Sequence, residues 1–495
     1  MIGRSIGMGL WRATVFVHRY LGVAVGLLMV MWFASGIVMM YVPYPERSDR
    51  EKLEVLAPIA WNACCALDDQ GIPDDAPIRA ATLENLRAEP VLRFRPEGMP
   101  PRMAALGPSG PFDIDLKQSQ GIALAAARRL AGANVNIVSA EAMDRDQWTV
   151  SENYVRDRPL YKFAFDDPAG TEMYVSSATG EVVLWTTASE RFWNWLGAVP
   201  HWLYFTELRD NGPLWSQIVI WSSIVGGFLT VIGLVLGILQ FKRGSSGRVS
   251  PYRGWFYWHH LAGLIFGIVT LTWVVSGTFS MNPWGFLEGG GGNEPARVAG
   301  KAIPWREMRA SLAALRDNAP ADAVKLSSAI LDGNLYWLAS TAEGDVVRLD
   351  ENGENAPTMP QDLMAAAERI AGGQKIESQE MLLREDEYYF NVPSFNKRDG
   401  VALPVYRVVL SDAEHTRYYI DPASGALVAR IDGARRGYRW LFEGLHRIDF
   451  APWLRARPVW DVLVIALLLG GIAVTGTGAY LALLRIKRDL TFSRR

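Results

Sequence analysis

The chain has 495 residues, a formal net charge of −2, and 49% hydrophobic content with 19 tryptophans. So nearly balanced a charge implies neither a nucleic-acid partner nor a generally acidic one. The length allows several domains, and the uneven placement of the apolar residues points to a membrane protein.

A bilayer span needs about 20 mostly apolar residues. In chain order the candidates are Tyr20–Val42, Leu214–Phe241, Phe256–Met281 and Val459–Leu484. The first has too long an apolar core for a cleaved signal peptide and no A-x-A-like site after it, so it reads as a retained span. Lysines and arginines fix the orientation. Arg4, Arg12 and Arg19 precede the first span; Lys242, Arg243, Arg248 and Arg253 fill the link between the second and third; Arg485, Lys487, Arg488, Arg494 and Arg495 close the chain. All three clusters fall on one side, which makes both termini cytoplasmic and places the two long intervening segments outside.

The expected divisions follow. Residues 1–42 are the N-terminus and first span, and 43–190 a first outer domain. An interfacial helix and the second span occupy 191–241, a cytoplasmic link 242–255, and the third span 256–283. A second outer domain covers 284–436, an interfacial helix and the fourth span 437–485, and a cytoplasmic tail 486–495. Within the outer segments, SQGIALAAARRLAG and QDLMAAAERIAGG carry helical periodicity, while YKFAF and MYVSS alternate like antiparallel strands around an ATG turn. Each outer segment therefore reads as a small α+β module, and GNLYWLASTAEGDVVRLD adds a further hairpin in the second.

The order of elements is that of a duplication. HRYLGVAVG from His18 and HHLAGLIFG from His259 share H-x3-G-x3-G, and Trp32, Ser35 and Gly36 match Trp273, Ser276 and Gly277 at the same offset of 241. RFWNWLGAVPHWLYF (191–205) matches RGYRWLFEGLHRIDF (436–450) at an offset of 245, which sets His201 opposite His446. Trp215 and Trp460, Gly226 and Gly471, and Thr230 and Thr475 continue that match. So does the outer segment, where YKFAFDDPAGTEMYVSSATGEVV aligns with YRVVLSDAEHTRYYIDPASGALV.

Four of the six histidines are repeat-equivalent and lie at the ends of spans. His18 and His259 form a pair at the cytoplasmic face, and His201 and His446 a pair at the outer face. A histidine at membrane depth is a functional group by default, and two axial imidazoles suit an electron-transfer haem because they leave no open coordination position. Gly22 and Gly26 follow His18 on one helix face, as Gly263 and Gly267 follow His259; a flat macrocycle could lie along such a face. G-x-x-x-G is also a close helix-packing motif, and each histidine alone could be an interfacial group, but neither alternative accounts for the duplication of the whole set. Division between two membrane faces argues against one shared non-haem ion. No C-x-x-C-H occurs, which excludes covalent haem attachment, and adjacent Cys64 and Cys65 are poorly arranged for a disulfide with each other. His260 and His415 have no repeat partners, Arg19 and Gly170 holding those places, and read as an interfacial and a hairpin-loop residue.

With HRYLG and HHLAG opening spans, W-x-x-S-G within them, and outer modules ending in YVSSATGEVV and YYIDPASGAL, the chain resembles the PepSY-associated transmembrane family. Within that family its layout resembles bacterial inner-membrane iron-uptake reductases acting on ferric siderophores. The resemblance implies four membrane helices, two periplasmic PepSY-like domains and b-type haem, two per chain, on His18, His259, His201 and His446. It further implies one-electron reduction of a ferric siderophore or other ferric chelate to release Fe(II), which oxygen donors bind poorly. The cytoplasmic segments are too short for a flavin or nicotinamide domain, so quinol or a separate reductase must supply the electron; GGGGNE (289–294) reads as a linker rather than a phosphate cradle. Candidate substrate contacts are Trp202, Tyr204, Trp453 and the loop NVPSFNKRDG (391–400). Two other readings stay open: a haem-free sensor, transport or protease-regulating protein with peptide-binding outer domains, and a haem conduit serving a different acceptor.

Overall fold

The computed structural model describes residues 2–65, 72–106, 114–241, 249–391 and 400–492. A long helix α1 (Ile2–Met39) leads to strands β1 (Pro77–Leu86), β2 (Glu89–Pro96) and β3 (Arg102–Ala105). Helix α2 (Leu116–Ala131) and strands β4 (Ile137–Met143), β5 (Leu160–Phe165), β6 (Glu172–Ser176) and β7 (Val182–Thr186) follow. A one-turn helix α3 (Ala198–Trp202) precedes α4 (Gly212–Gln240) and α5 (Trp255–Ser280). The second half has β8 (Ile303–Pro304), α6 (Trp305–Asn318), β9 (Lys325–Leu331), β10 (Asn334–Ser340) and β11 (Val346–Leu349). It continues through α7 (Pro360–Ala371), β12 (Ile376–Leu382), β13 (Val405–Leu410), β14 (Arg417–Ile420) and β15 (Leu427–Ile431) to α8 (Leu445–Arg447) and α9 (Val459–Phe492).

Four helices, α1, α4, α5 and α9, are long and apolar enough to cross a membrane. Helix α4 starts where the sequence dictates: the Asn211 side chain accepts from the Leu214 N–H at 3.0 Å, and Pro213 occupies the first turn, where its missing donor costs nothing. Helix α1 packs on α4 and α9, and α5 packs on the same two, so α1 and α5 face each other diagonally. Their shared core includes Met29, Phe33, Trp273, Leu229 and Val464. Helix α1 begins well before the expected Tyr20, which puts His18 inside the helix rather than at its start. Of the basic residues that suggested orientation, Lys242, Arg243, Arg248, Arg494 and Arg495 lie outside the described residues.

The remaining secondary structure gathers at the opposite end of the bundle from the termini. Helix α2 with the four-stranded sheet β4–β7, and α7 with β12–β15, form the two expected α+β units, each with its own apolar core. The expected boundary between two separate outer domains, however, is not what the strands make. A seven-stranded sheet runs β11-β10-β9-β1-β2-β3, with β8 pairing β1, so strands from both halves share it. The joint is antiparallel, Thr82, Leu83 and Glu84 opposite Ser327, Leu326 and Lys325. One core lies beneath it, in which Trp305 of the second half stacks on Phe94 of the first at 4.6 Å. Sequence alternation identifies strands but not strand partners, which depend on apolar faces far apart in the chain.

A loop of each α+β unit reaches the helix end. Gln147, between β4 and β5, donates to the Tyr204 carbonyl at 2.6 Å, and Phe390, between β12 and β13, packs against the Arg439 and Arg455 guanidiniums. Cys64 and Cys65, expected to be badly arranged for it, are joined to each other. His415 occupies the β13–β14 turn, as read, and pairs with Glu377 at 2.7 Å.

Leu83 and Leu326 are both fully buried at the joint. We expect Leu326→Ala to cost about 3 kcal/mol and to speed amide hydrogen exchange in β1–β3 and β9–β11 together. Exchange rising in β9–β11 alone would mean that the two hairpins are independent units.

Candidate functional site: two imidazole pairs in a helix bundle

The four repeat-equivalent histidines come together as two pairs. His18 of α1 and His259 of α5 face each other with ring centroids 6.3 Å apart, and His201 of α3 and His446 of α8 with centroids 6.2 Å apart. The pairs lie at different levels: His201 contacts Trp32 and Ser35, fourteen and seventeen residues beyond His18 on α1, or about 20–25 Å along the helix.

Hydrogen bonds set the tautomer of three rings. His201 Nδ1 lies 3.0 Å from the Trp32 carbonyl and 3.1 Å from Ser35 Oγ, which itself donates to the Met31 carbonyl. A carbonyl only accepts, so Nδ1 carries the proton and Nε2 keeps its lone pair. His446 Nδ1 meets Ser276 Oγ at 3.0 Å, and that hydroxyl donates to the Trp273 carbonyl. His259 Nδ1 meets the Val474 carbonyl and Thr477 Oγ1, each at 3.1 Å. His18 Nδ1 is buried and has no hydrogen-bond partner among the described residues. Such a donated Nδ1–H is the usual support behind a metal-binding imidazole.

The W-x-x-S-G signature thereby acquires a physical account. The serine orients the imidazole, and the following glycine makes room: a Cβ on Gly36 would stand 3.6 Å from His201 Cε1, and one on Gly277 3.9 Å from His446 Cε1. Two further glycines do the same at the other level, and sequence reasoning missed them. A Cβ on Gly233 of α4 would stand 2.8 Å from His18 Cε1, and one on Gly478 of α9 3.0 Å from His259 Cε1. Gly233 and Gly478 match at the offset of 245, so the signal was available in the repeat. Trp215 and Trp460 are also explained: their indole N–H groups donate to the Trp202 and Arg447 carbonyls, at 2.8 and 2.6 Å, capping the short helices that carry His201 and His446. Each of those helices ends in a left-handed residue, Leu203 and Ile448.

A cavity of about 560 Å³, in the size range of cofactor pockets, opens at the level of His18 and His259. All four expected glycines line it, but in two ways. A Cβ on Gly22 or Gly263 would meet nothing within 4 Å, whereas one on Gly26 would touch Ala479 at 3.6 Å and one on Gly267 would press into Leu234 at 2.6 Å. Gly22 and Gly263 leave open space; Gly26 and Gly267 also let helices approach. His260 is not interfacial as expected but buried, with Nδ1 2.8 Å from Ser250 Oγ and Nε2 2.8 Å from the Gly237 carbonyl, pinning the link before α5 to the end of α4. Among the substrate candidates, Trp202 and Tyr204 belong to an aromatic cluster with Tyr44 and Trp215, Trp453 is exposed, and residues 392–399 of the loop lie outside the described residues.

Metal–imidazole nitrogen bonds run about 2.0 Å, and each ring centre lies about 1.1 Å behind its nitrogen. Two imidazoles bonded to one ion from opposite sides then have centroids about 6.2 Å apart. Both pairs have that separation, and three of the rings have an Nε2 lone pair available. No cluster of three or more potential metal ligands occurs among the described residues. The donor set therefore fits bis-imidazole haem iron, with the macrocycle's own nitrogens completing the coordination.

Glycine substitutions separate cavity from packing. With the cavity empty, in protein produced without haem, Gly22→Ala should leave thermal stability in detergent unchanged or slightly raised, because its Cβ meets nothing. Gly470→Ala, whose Cβ would fall 2.3 Å from Phe266 Cδ1, should cost about 1–3 kcal/mol. Equal melting temperatures for the two variants would contradict this packing.

The family model described as the PepSY-associated TM region matches residues 15–365, well over half of the chain. No curated protein matches it. Taken with the four apolar helices and the sheet-rich region at one end of them, that match settles the family: the chain belongs to the PepSY-associated transmembrane proteins.

Proposed function

We propose that this protein is a transmembrane electron conduit of the bacterial inner membrane that reduces a ferric chelate, a ferric siderophore above all, on the periplasmic side. The reading assigns both termini to the cytoplasm, the three sheets to the periplasm, and the whole arrangement to an internal duplication. The observation that carries it is the pair of imidazole pairs, 6.3 and 6.2 Å between centroids, one toward each end of the bundle.

His18 and His259 would hold one haem b and His201 and His446 a second. Bound there, haem would supply reversible one-electron transfer. The chain's own residues do the rest. Ser35, Ser276, Thr477 and the Trp32 and Val474 carbonyls hold the imidazole rings and their Nδ1 protons in place. The apolar core that includes Val25, Met29 and Leu229 between the two levels, and Phe33 and Trp273 in contact at 5.7 Å between centroids at the level of His201 and His446, would keep water from the interior. One electron per iron converts Fe(III) to Fe(II), which leaves its hard oxygen donors. Quinol or a separate reductase supplies that electron on the cytoplasmic side, and no acid–base group of this chain is needed.

The test is an absorption spectrum of the detergent-purified protein, oxidised and then reduced, with haem quantified per chain. We expect two six-coordinate b-type haems per chain, and in His446→Ala one haem and loss of ferric-chelate reduction. Absence of haem after expression with ample haem supply, or a His446→Ala chain that keeps both haems and full reductase activity, would overturn the proposal.

A further inference from the structure

The cavity beside His18 and His259 is not uniform along its length. From the imidazole level toward the middle of the bundle it is lined by Gly26, Met29, Gly267 and Ala479 together with three threonines. Those threonine hydroxyls are already committed: Thr230 donates to the Gly226 carbonyl at 2.8 Å, Thr270 to Phe266 at 3.0 Å and Thr475 to Gly471 at 2.8 Å. That end offers a ligand no free hydrogen-bond donor from a hydroxyl.

The other end carries two guanidiniums, Arg485 and Arg488 of α9, and a third, Arg19 of α1, next to His18 in the chain, also lines the cavity. No carboxylate lines the cavity with them among the described residues. Arg485 and Arg488 lie seven and ten residues beyond Gly478, which touches His259, and so about 10–15 Å farther along α9. Arg485 is braced from behind: its Nε donates to Asp489 at 2.9 Å, and the same carboxylate accepts from Tyr20 Oη at 3.1 Å, but Asp489 does not itself reach the cavity wall. An apolar slot with a ligating pair midway and charge of one sign at one end selects a ligand of matching polarity: flat, apolar along one edge, anionic along the other.

We propose that Arg19, Arg485 and Arg488 form a carboxylate clamp that seats the macrocycle between His18 and His259 by its two acidic side chains. It rests on the haem reading above and adds to it. Guanidinium–carboxylate hydrogen bonds are charge-assisted and directional, so the clamp fixes which way round the macrocycle enters as well as how tightly it is held. It also gives these arginines a role besides orienting the chain in the membrane.

The experiment uses the full-length His446→Ala chain, produced without haem, so that uptake reports the His18–His259 pair. It is titrated with haem and with haem dimethyl ester, whose side chains are neutral, and binding is read from the six-coordinate absorption bands. The expected result is haem binding at least about tenfold tighter than the ester, and loss of that preference in the Arg19→Gln/Arg485→Gln/Arg488→Gln chain with Lys487→Gln as the unaffected control. Equal affinity for acid and ester overturns the clamp while leaving the haem reading intact. So does a triple variant that keeps the preference, or one that loses only its bound anionic lipid. Failure to bind either macrocycle overturns the haem reading instead. The acid–ester comparison needs no arginine variant, and so decides the matter even where the triple variant does not assemble.

Discussion

The arrangement depends on hydrogen bonds donated by imidazole Nδ1 into fixed acceptors of a neighbouring helix. A histidine ring in an apolar bundle has two nitrogens to satisfy, and leaving either unpaired is costly. Giving Nδ1 a carbonyl or serine oxygen resolves one and fixes the tautomer, so that the other nitrogen presents a lone pair rather than a proton. The acceptor carbonyls, Trp32 and Val474, belong to helices that must approach within hydrogen-bonding range, which explains the glycines at Gly36, Gly277, Gly233 and Gly478 against the rings. Bundle geometry, small residues and ring chemistry are thus one constraint, met in full at His201, His259 and His446 and by the glycine alone at His18.

The two halves keep this constraint but differ in what surrounds it. Where the second half places Arg439 against Asp449, at 2.7 Å and almost wholly buried, the first half has Asn194 and Tyr204. Asn194 instead donates to the Pro43 carbonyl at the end of α1, and Tyr204 joins an aromatic cluster with Tyr44, Trp202 and Trp215. The approach to His446 runs through a wide helical turn at Arg439–Gly444, whereas the approach to His201 breaks at Gly197. The histidines, their glycines, the capping tryptophans and the left-handed residues after them match across the halves. The surroundings diverge into a basic and an aromatic face.

Much of this was legible in the sequence. Four spans, two helix-plus-sheet units and the pairing of His18 with His259 and His201 with His446 could be read from periodicity and repeat register, because those signals are local or are written twice. What escaped was non-local. The start of α1 was set too late because its first turns are less apolar than the core of the span, and helix continuity does not need that apolarity. His260 looked interfacial because its partners, Ser250 and the Gly237 carbonyl, are brought to it only by the fold. Gly26 and Gly267 looked like their neighbours Gly22 and Gly263, since a spacing does not say whether the space before a glycine is empty or filled by another helix.

The joint between β1 and β9 makes the chain's assembly contingent on its far half. When only the first half has been made, β1 presents an unpaired edge, a row of unanswered backbone groups of the kind that invites pairing with another chain. The partner strand begins at Lys325 and reaches that edge only after α4 and α5 have crossed back and forth. Completion of the seven-stranded sheet therefore waits on the chain beyond the helical hairpin α4–α5, and β8 and β9 are the strands that cover the exposed edge of β1. The two halves are less a pair of beads than the two sides of a clasp, and neither side is shut until the other is made.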